Sequence, residues 1–303
     1  MKKPAVIVLA VVVVILLLPL VLREKPSRLA GPDLSGLRYT EVSFKNGDLL
    51  LSSLLLLPTG KGPFPVAVFI HGSGTSHRNS PWYLTVAAHL QENGIAVLLP
   101  DKRGSEKSEG DWKKATFRDL AGDAAGAIAF IEGQTTFECS KIGVIGFSQG
   151  GWIAPIVAAE NADVAFVVSM SGPGVTTDEQ LLYEEVNNIA GFGTYRFIAA
   201  LIAPITAKNI KKTDFWQAIG GFDPIPYWRK VDVPAFMAFG ENDKNVPVEE
   251  SASRIQALGK ANIAVKVYPD GGHAIADPAT DRVQAGYLRD LLEFIGGIKT
   301  TGG

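Results

Sequence analysis

Three side chains that lie far apart in this chain have the chemical types needed for nucleophilic catalysis. Ser148 stands in Gly146-Phe147-Ser148-Gln149-Gly150, directly after an apolar run. A serine hydroxyl is a weak nucleophile at neutral pH, so it needs a base that takes its proton. Of the four histidines, only His273 follows the serine, and two glycines directly before it would let its loop reach back over a sheet. This pair predicts a serine nucleophile with a histidine base.

The glycines around Ser148 indicate a sharp turn between a strand and a helix. A serine at such a turn has a strained backbone, which is tolerated only if the residues two before and two after lack bulky side chains. Gly146 and Gly150 meet this requirement. In a chain with 32 glycines the pattern occurs readily by chance, so its weight comes from the strand-like run before it, the helix-like segment after it and the order of its partners.

Asp243 is the predicted third member of this catalytic group. The imidazolium that forms during attack needs an oriented carboxylate, and the acid should follow a strand between the serine and the histidine. Asp243 stands in a polar turn after an apolar run and meets both conditions. Glu241, in the same turn, is the alternative acid. Asp232 precedes the run and Asp277 follows His273, so neither has the required position.

Two backbone N–H groups are predicted to stabilise the oxyanion of the tetrahedral intermediate. One belongs to Gln149, the residue after the nucleophile, and the other should come from the loop after an earlier strand. In that loop the sequence predicts the N–H of Ser73, with Gly72 and Gly74 as alternatives, since glycines permit a close backbone approach. His71, at the start of the loop, is interpreted as a structural residue.

Strand-like and helix-like segments alternate through most of the chain. Residues 37–44 and 49–57, separated by Asn46-Gly47-Asp48, predict a hairpin. Further strands are predicted at 66–70, 95–99, 142–145, 164–169, 235–239 and 264–268, and helices near 81–93, 117–132, 149–160, 248–258 and 281–296. This order predicts an α/β fold, a mostly parallel sheet with helices on both faces and reactive groups at the carboxyl ends of its strands.

Residues 172–229 interrupt this alternation. The segment contains no clear buried strand and is rich in aromatic residues. Long insertions in compact domains are usually functional, and aromatic side chains need a surface on which to pack. We therefore expect a mainly helical lid over the strand ends that shapes the substrate pocket, with extra packing and no ligand contact as the alternative.

The first 22 residues are predicted to form a membrane anchor. Residues 4–22 are almost entirely apolar and are bounded by Lys2, Lys3 and Arg23. About 20 apolar residues span the hydrocarbon core of a bilayer, whereas a cleavable signal has an apolar core of about 7 to 15. The residues that follow contain no small-x-small cleavage site. A single-pass, uncleaved anchor is thus expected.

The remaining chain is divided into a linker and one catalytic domain. Residues 23–36, rich in Pro, Gly, Ser and charge, predict the linker, and residues 37–303 the domain. Basic residues on the two sides of residues 4–22 are nearly balanced, but an extreme N-terminal helix with a short basic head is similar to an uncleaved export signal. The catalytic domain is therefore expected outside the cytoplasm.

Composition excludes several classes of function. The formal net charge is −2, with 29 basic and 31 acidic residues, so there is no electrostatic footprint for binding nucleic acid. The single cysteine, Cys139, rules out an intramolecular disulfide and supplies no partner for a cysteine-rich metal site. A hydrophobic share of 47% is far too high for a disordered chain.

From Leu37 to Ile298 the sequence resembles the α/β-hydrolase superfamily. The resemblance rests on His71-Gly72-Ser73-Gly74, Asp101-Lys102-Arg103-Gly104, Gly146-Phe147-Ser148-Gln149-Gly150-Gly151, Gly240-Glu241-Asn242-Asp243 and Gly271-Gly272-His273. It is strongest to the dienelactone hydrolase, prolyl-oligopeptidase-like and serine aminopeptidase branches. The resemblance implies an acyl-enzyme mechanism that needs no cofactor or metal. It also implies that Asp101 and Arg103 hold the turn after the fourth strand, as an internal acid and base pair can.

Three functions remain open at this point. A closed aromatic lid over one pocket favours hydrolysis of small or medium acyl esters, with a small-molecule ester as the substrate. A peptidase or amidase would need an acidic group in the lid to hold a substrate amine, which Asp178, Glu179, Glu184 or Glu185 could supply, although such clusters are usually solvated. A membrane-tethered hydrolase fold could also serve only to bind a ligand or partner.

Overall fold

A computed structural model describes residues 28–298, and a sheet of eight strands forms its centre. The strands of the chain are β1 Thr40–Asn46, β2 Leu49–Leu56, β3 Phe64–Ile70, β4 Ala96–Pro100, β5 Cys139–Phe147, β6 Val164–Met170, β7 Ala235–Gly240, β8 Ile263–Tyr268, β9 Ala276–Asp277 and β10 Arg282–Val283. The large sheet has the order β1-β2-β4-β3-β5-β6-β7-β8. Strand β2 is antiparallel to β1 and β4, and the other neighbours are parallel. The predicted α/β architecture is thus confirmed.

Helices cover both faces of this sheet. They are α1 Pro81–Glu92, α2 Phe117–Glu132, α3 Gly150–Glu160, α4 Thr177–Gly191, α5 Arg196–Ile210, α6 Asp214–Ile219, α7 Ile225–Trp228, α8 Val248–Gln256 and α9 Ala285–Gly297. Two buried apolar clusters separate the layers. One joins the sheet to α2, α3 and α8, and the other joins it to α1 and α9.

Side chains of strand β3 pack into both buried apolar clusters. Val66 and Val68 point into the cluster with α2 and α3, whereas Ala67 and Phe69 point into the cluster with α1 and α9. Side chains alternate between the faces of a strand, so a strand buried on both sides must be apolar throughout. This is why the continuous apolar runs of the sequence were a reliable signal for the central strands.

Local turn chemistry explains the first hairpin and the start of α2. Gly47, between β1 and β2, has φ 57°, a conformation that glycine adopts at little cost. Thr116 caps α2 by accepting a hydrogen bond from the N–H of Asp119, whose side chain accepts one from the N–H of Thr116 in return. Such a reciprocal cap satisfies two N–H groups that a helix start leaves without a partner.

Between β6 and β7, residues 172–229 contain α4, α5, α6 and α7. Helix α4 lies above the carboxyl end of the sheet, because its Tyr183 hydroxyl donates to the carbonyl of Asp243 at 2.9 Å. Asn187 of the same helix donates to the carbonyl of Lys244 at 2.9 Å. Helix α5 packs along α4. The insertion therefore stands on the loop that follows β7.

The chain enters this domain beside the loops that follow β8 and precede α1. The N–H of Ala30 donates to the carbonyl of Asp281 at 2.6 Å, and the N–H of Leu34 to the side chain of Asn79 at 2.9 Å. Residues 30–34, within the predicted linker 23–36, thus lie against the domain. Within residues 28–298 no helix is both long and apolar enough to cross a bilayer. The predicted anchor, residues 1–22, lies outside the described residues.

The segment after His273 differs from the sequence prediction. A helix was expected near 281–296, but α9 begins only at Ala285. The preceding residues form the short hairpin of β9 and β10, in which Arg282 pairs with Asp277. Pairing of β10 with β9 keeps these residues extended, and no local sequence pattern indicates this pairing.

Candidate active site

Ser148 occupies a strained turn between β5 and α3. Its φ is 51°, in the left-handed region that residues with side chains adopt at a cost. A Cβ added at Gly146 would lie 2.2 Å from the carbonyl oxygen of Gly150, and one added at Gly150 would lie 2.2 Å from the carbonyl oxygen of Ile70. Neither position can therefore hold a side chain. The predicted elbow has the local geometry that the glycine spacing indicated.

Asp243 and His273 meet at the same edge of the sheet. Nδ1 of His273 lies 2.8 Å from Oδ2 of Asp243. The other carboxylate oxygen accepts the N–H groups of Asn245 and Val246, at 2.8 and 3.0 Å. The Asp243 side chain is fully buried, while that of His273 is 23% exposed. A carboxylate at Nδ1 makes that nitrogen the donor and leaves Nε2 able to accept a proton.

The runner-up acid, Glu241, lies elsewhere. Its carboxylate accepts a hydrogen bond from the N–H of Asp270 at 3.2 Å, on the exposed surface of the loop. Asp243 is the carboxylate that contacts the imidazole. This contact favours Asp243 over Glu241 as the acid.

Trp82 connects the imidazole with the serine turn. Its ring packs edge-on against the ring of His273, with centroids 5.2 Å apart. Its indole N–H donates to the sulfur of Met170 at 3.0 Å, and the carbonyl of Met170 accepts the N–H of Ser148 at 2.9 Å. Among the hydrogen bonds of residues 28–298, none joins the Ser148 hydroxyl to His273. Such bonds are often long in enzymes without substrate and shorten when it binds.

The loop after β3 lies against Ser148 and contains Ser73, one of the two predicted oxyanion donors. A Cβ added at Gly72 would lie 3.3 Å from Cβ of Ser148. The N–H of Gly72 already donates to the hydroxyl of Tyr83 at 3.0 Å, which removes it as a donor. Within the described part of the chain, the N–H groups of Ser73 and Gln149 have no hydrogen-bond acceptor. Both remain available to an oxyanion.

His71 supports this loop from inside. Its Nε2 lies 2.5 Å from the carbonyl of Pro100, and its ring packs edge-on against Tyr83 at 4.5 Å. Burial lowers the pKa of His71 to about 4, so the ring is neutral near pH 7 and Nε2 donates. The structural interpretation of His71 agrees with these contacts.

Asp101 and Arg103 do not form the pair that the sequence suggested. The carboxylate of Asp101 is bound by Arg78, at 2.9 and 2.7 Å. Arg103 instead binds Asp123 of α2, with both bonds at 2.6 Å. Each residue ties the turn after β4 to a different neighbour. Each guanidinium group binds a carboxylate at least 20 positions away in the sequence. The spacing of Asp101 and Arg103 therefore does not predict these pairs.

Lys102, between these two residues, is a buried amine at the site that no sequence motif indicates. Its ammonium group donates to the carbonyl of Gly72 at 2.8 Å and to the side-chain oxygen of Gln149 at 2.7 Å. Burial lowers the pKa of Lys102 to about 7. A lysine in a turn is ordinarily solvated, so its sequence position carried no signal.

The Lys102 pKa leads to a prediction about stability. Above pH 7 the folded chain has released this proton, whereas the unfolded chain keeps it up to the ordinary pKa of 10.5. The unfolded state then binds more protons, so stability rises with pH in this window. We expect the free energy of unfolding of the wild type, relative to Lys102→Met, to rise by up to about 1 kcal/mol per pH unit between pH 7 and 10.

Urea denaturation of both proteins at a series of pH values measures this difference. The comparison cancels groups that titrate alike in the two proteins. A stability difference that stays constant between pH 7 and 10 would contradict the lowered pKa.

A broad concavity of the described residues lies away from this site. It opens where β5, β6 and β7 begin, and is lined by residues such as Lys141, Asp163 and Phe294. Reactive groups of parallel sheets lie at the opposite edge, where Ser148 and His273 stand. Within residues 28–298 no group of three or more His, Cys, Asp or Glu side chains is placed to hold a metal ion.

Comparison with known proteins relates this chain to one family and to several hydrolases. The model of the alpha/beta hydrolase family matches residues 67–285. Esterase EstD of Thermotoga maritima is 22% identical over 251 residues, which cover 76% of this chain and 60% of EstD. The acylamino-acid-releasing enzyme of Rattus norvegicus is 22% identical over 259 residues, which cover 81% of this chain and 33% of that enzyme. The chain thus spans a third to three fifths of these two relatives.

Among solved structures, the Pyrococcus furiosus esterase Pf2001 superposes with a TM-score of 0.65. It is 20% identical, and the match covers 90% of this chain and 97% of that esterase. At this identity the likeness shows a shared fold.

Proposed function

Because this chain belongs to the α/β-hydrolase family, we propose that it is a serine hydrolase that cleaves carboxylic esters of small or medium acyl groups. Ser148 is the nucleophile, His273 the base and Asp243 the residue that orients it. The observation that carries the proposal is the 2.8 Å contact of His273 with Asp243, at the sheet edge where Ser148 occupies its strained turn.

The proposed reaction proceeds through an acyl-enzyme. Nε2 of His273 takes the hydroxyl proton as Oγ of Ser148 attacks the ester carbonyl, and the N–H groups of Ser73 and Gln149 stabilise the oxyanion. The tetrahedral intermediate collapses as His273 gives the proton to the leaving alkoxide, which departs as an alcohol. Water, deprotonated by His273, then attacks the acyl-enzyme, and the acid product leaves with Ser148 restored.

The insertion of α4 to α7 is proposed as a lid over this site. Its contacts support the role, since α4 bonds to the carbonyls of Asp243 and Lys244, beside the proposed acid. Phe215 of α6 packs edge-on against Trp112, 5.4 Å between ring centroids, and the ammonium of Lys102 lies 5.1 Å from the centroid of the Trp112 ring. The lid therefore touches residues around the site on two sides.

Ester cleavage is favoured over peptidase action by the partners of the acidic lid residues. Asp178 pairs with Lys211 at 2.8 Å, and Glu179 binds Arg254 through two bonds of 2.8 Å. A carboxylate already paired with a cation attracts a substrate amine less strongly. Glu184 accepts from two side-chain amides, at 2.8 and 2.9 Å.

A substrate panel tests this proposal. We expect p-nitrophenyl acetate and butyrate to be turned over faster than aminoacyl p-nitroanilides by at least about a hundredfold, since Asp178 and Glu179 are already paired with cations. A preference for the anilides, lost in Glu184→Gln but not in the exposed control Glu249→Gln, would instead establish a peptidase. If a fluorophosphonate probe fails to label Ser148 in folded protein, the chain is a binding protein.

We also propose that residues 1–22 anchor the chain in a membrane and that the catalytic domain lies outside the cytoplasm. Support comes from the length of the apolar segment and from its position ahead of a basic stretch. Protease accessibility of the domain in intact cells tests the orientation. Protection of the domain until the cells are lysed would reverse it.

A further inference from the structure

We propose that the outer face of helix α5 rests in the headgroup region of an anionic lipid bilayer, so that the lid is a second membrane contact. The inference rests on the proposed anchor and is independent of the hydrolase chemistry. It concerns the solvent-facing side of α5, which carries large apolar side chains where a water-facing helix normally carries polar ones.

Helix α5 buries its small apolar side chains and exposes its large ones. Its buried stripe consists of small residues at helical spacing, Ala199, Ala203 and Ala207. The opposite face carries the large ones, Phe197 at 68%, Leu201 at 75% and Ile205 at 64% exposure. A water-facing helix normally shows polar residues there. A contiguous exposed apolar stripe of this kind marks an interaction surface.

The charges around this face select an anionic surface. Residues 196–212 contain no Asp or Glu, and Arg196, Lys208 and Lys212 flank the apolar middle, while Lys211 is already paired with Asp178 at 2.8 Å. Each Lys or Arg near an anionic leaflet adds to the electrostatic attraction. An apolar stripe bordered by basic residues is the pattern of a helix that lies in the membrane interface. At 15 residues, α5 is too short to span a bilayer.

The N-terminal chain places this face near the membrane. The predicted anchor ends at Leu22, and the chain is fixed to the domain at Ala30 by its bond to Asp281. Eight residue steps reach at most about 29 Å, so the part of the domain around Asp281 stays close to the bilayer. Leu34, four residues after Ala30, is bonded to Asn79 in the loop that leads from the carboxyl end of β3 to α1, and this is the sheet edge over which the lid stands.

The lid and the attachment point therefore share one side of the molecule. Helix α4 rests on the loop of Asp243, Asp243 contacts His273, and the segment after His273 holds Ala30. Helix α5 packs on α4. A bilayer that holds the anchor near Ala30 can therefore also contact the outer face of α5.

Lipid quenching on the full-length chain tests the contact. The single cysteine is replaced by Cys139→Ser, and a nitrobenzoxadiazole label is attached at Leu201→Cys or, as a control, at Ser43→Cys on the exposed side of β1. The proteins are reconstituted in phosphatidylcholine vesicles with about one third phosphatidylglycerol. We expect doxyl-labelled phospholipid to lower the emission at 201 by about half and to leave the emission at 43 nearly unchanged.

Each other outcome overturns the proposal in a distinguishable way. If the protein floats with the vesicles but the label at 201 is insensitive to the quencher, the anchor stands and the α5 contact fails. If the protein does not float, the anchor itself fails. If unlabelled Leu201→Cys forms disulfide-linked dimers while lipid quenching is absent, the face joins two copies of the chain. Because none of these readouts needs turnover, they leave the hydrolase proposal unaffected.

A different observation carries a second inference, which rests on the proposed hydrolase function. We infer that Lys102 is a positioning residue that holds both oxyanion donors. Its ammonium donates to the carbonyl of Gly72, and that carbonyl shares a peptide unit with the N–H of Ser73. It also donates to the side chain of Gln149, whose backbone N–H is the other donor. One side chain thus joins two segments that are far apart in the sequence.

This contact also strengthens the donors. A hydrogen bond to a peptide carbonyl polarises the peptide, which makes the N–H at its other end a better donor. Asp101 and Asp123 line a small internal cavity together with Lys102, but they bind Arg78 and Arg103. Among residues 28–298 Lys102 forms no ion pair, so both of its hydrogen bonds are made to the two segments that carry the donors.

Steady-state kinetics with p-nitrophenyl butyrate tests this role. Loss of one oxyanion donor lowers kcat by about a hundredfold to a thousandfold in other enzymes. We expect Lys102→Met to lower kcat by about tenfold to a hundredfold and to change KM by less than about threefold, because the donors act mainly on the transition state. Affinity for a trifluoromethyl ketone, which forms a tetrahedral adduct, should fall by the same factor as kcat.

Gln149→Met provides a second variant that keeps the backbone donor and removes only one of the two contacts. It should show a smaller loss of kcat, and the double variant should lose less than the product of the two single losses. A raised KM with normal kcat in either variant assigns Lys102 to substrate binding and overturns the inference. If wild-type protein itself hydrolyses nothing, it is the hydrolase proposal that fails.

Discussion

Replacing Ser148 by alanine is expected to lower kcat for p-nitrophenyl butyrate by about ten-thousandfold or more, with the fold unchanged. The variant loses the oxygen that would form the acyl-enzyme, and only the oxyanion donors and substrate binding remain to speed attack by water. Alanine keeps the Cβ that the turn already accommodates at φ 51°. Initial rates and circular dichroism on matched preparations measure the two parts of this expectation.

Ser43→Ala is the matched control for this variant. Ser43 lies on exposed β1, at the edge of the sheet, and its loss should change kcat by less than about twofold. Turnover by Ser148→Ala within about tenfold of the wild type would show that another group attacks the substrate.

The second large effect is expected for Asp243→Asn. The N–H groups of Asn245 and Val246 both point at Oδ1, so they would hold the amide oxygen of asparagine in that place. The amide NH2 would then face Nδ1 of His273, which must become the acceptor. The ring proton moves to Nε2, the nitrogen that should take the proton from Ser148. We expect kcat to fall by roughly ten-thousandfold with little change in KM.

Initial-rate measurements with p-nitrophenyl butyrate on Asp243→Asn and on Glu241→Gln separate the two candidate acids. Glu241 contacts the N–H of Asp270 at the exposed surface, and its replacement should alter kcat by less than about threefold. The assignment of the acid would be reversed if Glu241→Gln were the crippled variant and Asp243→Asn were active.

The elements that support the site were predictable because each has a local signal. Continuous apolar runs identified the central strands, since both faces of β3 to β7 are buried. Glycine spacing identified the turn at Ser148, where a Cβ at either flanking glycine would meet backbone atoms. The order of Ser148, Asp243 and His273 along the chain followed from the topology of such sheets.

What the sequence could not reveal are contacts that depend on tertiary distance alone. Asp101 binds Arg78, 23 positions earlier, and not Arg103 two positions later. Lys102 is buried beside the site and is bonded to Gly72 and Gln149, 30 and 47 positions away. Trp82, in the first turn of α1, packs against the ring of His273. None of these partners is marked by a motif or a period.

The two outer strands of the sheet affect how readily neighbouring molecules of this protein can aggregate. Open edges of a sheet can recruit strands from a neighbouring molecule, and charged side chains on the edge strand discourage this. Strand β1 carries exposed Glu41 and Lys45, and Lys266 on β8 is bound to Asp290 at 2.5 Å. Sheet extension between two molecules is therefore disfavoured at both ends, which protects against ordered aggregation when many copies share a small area.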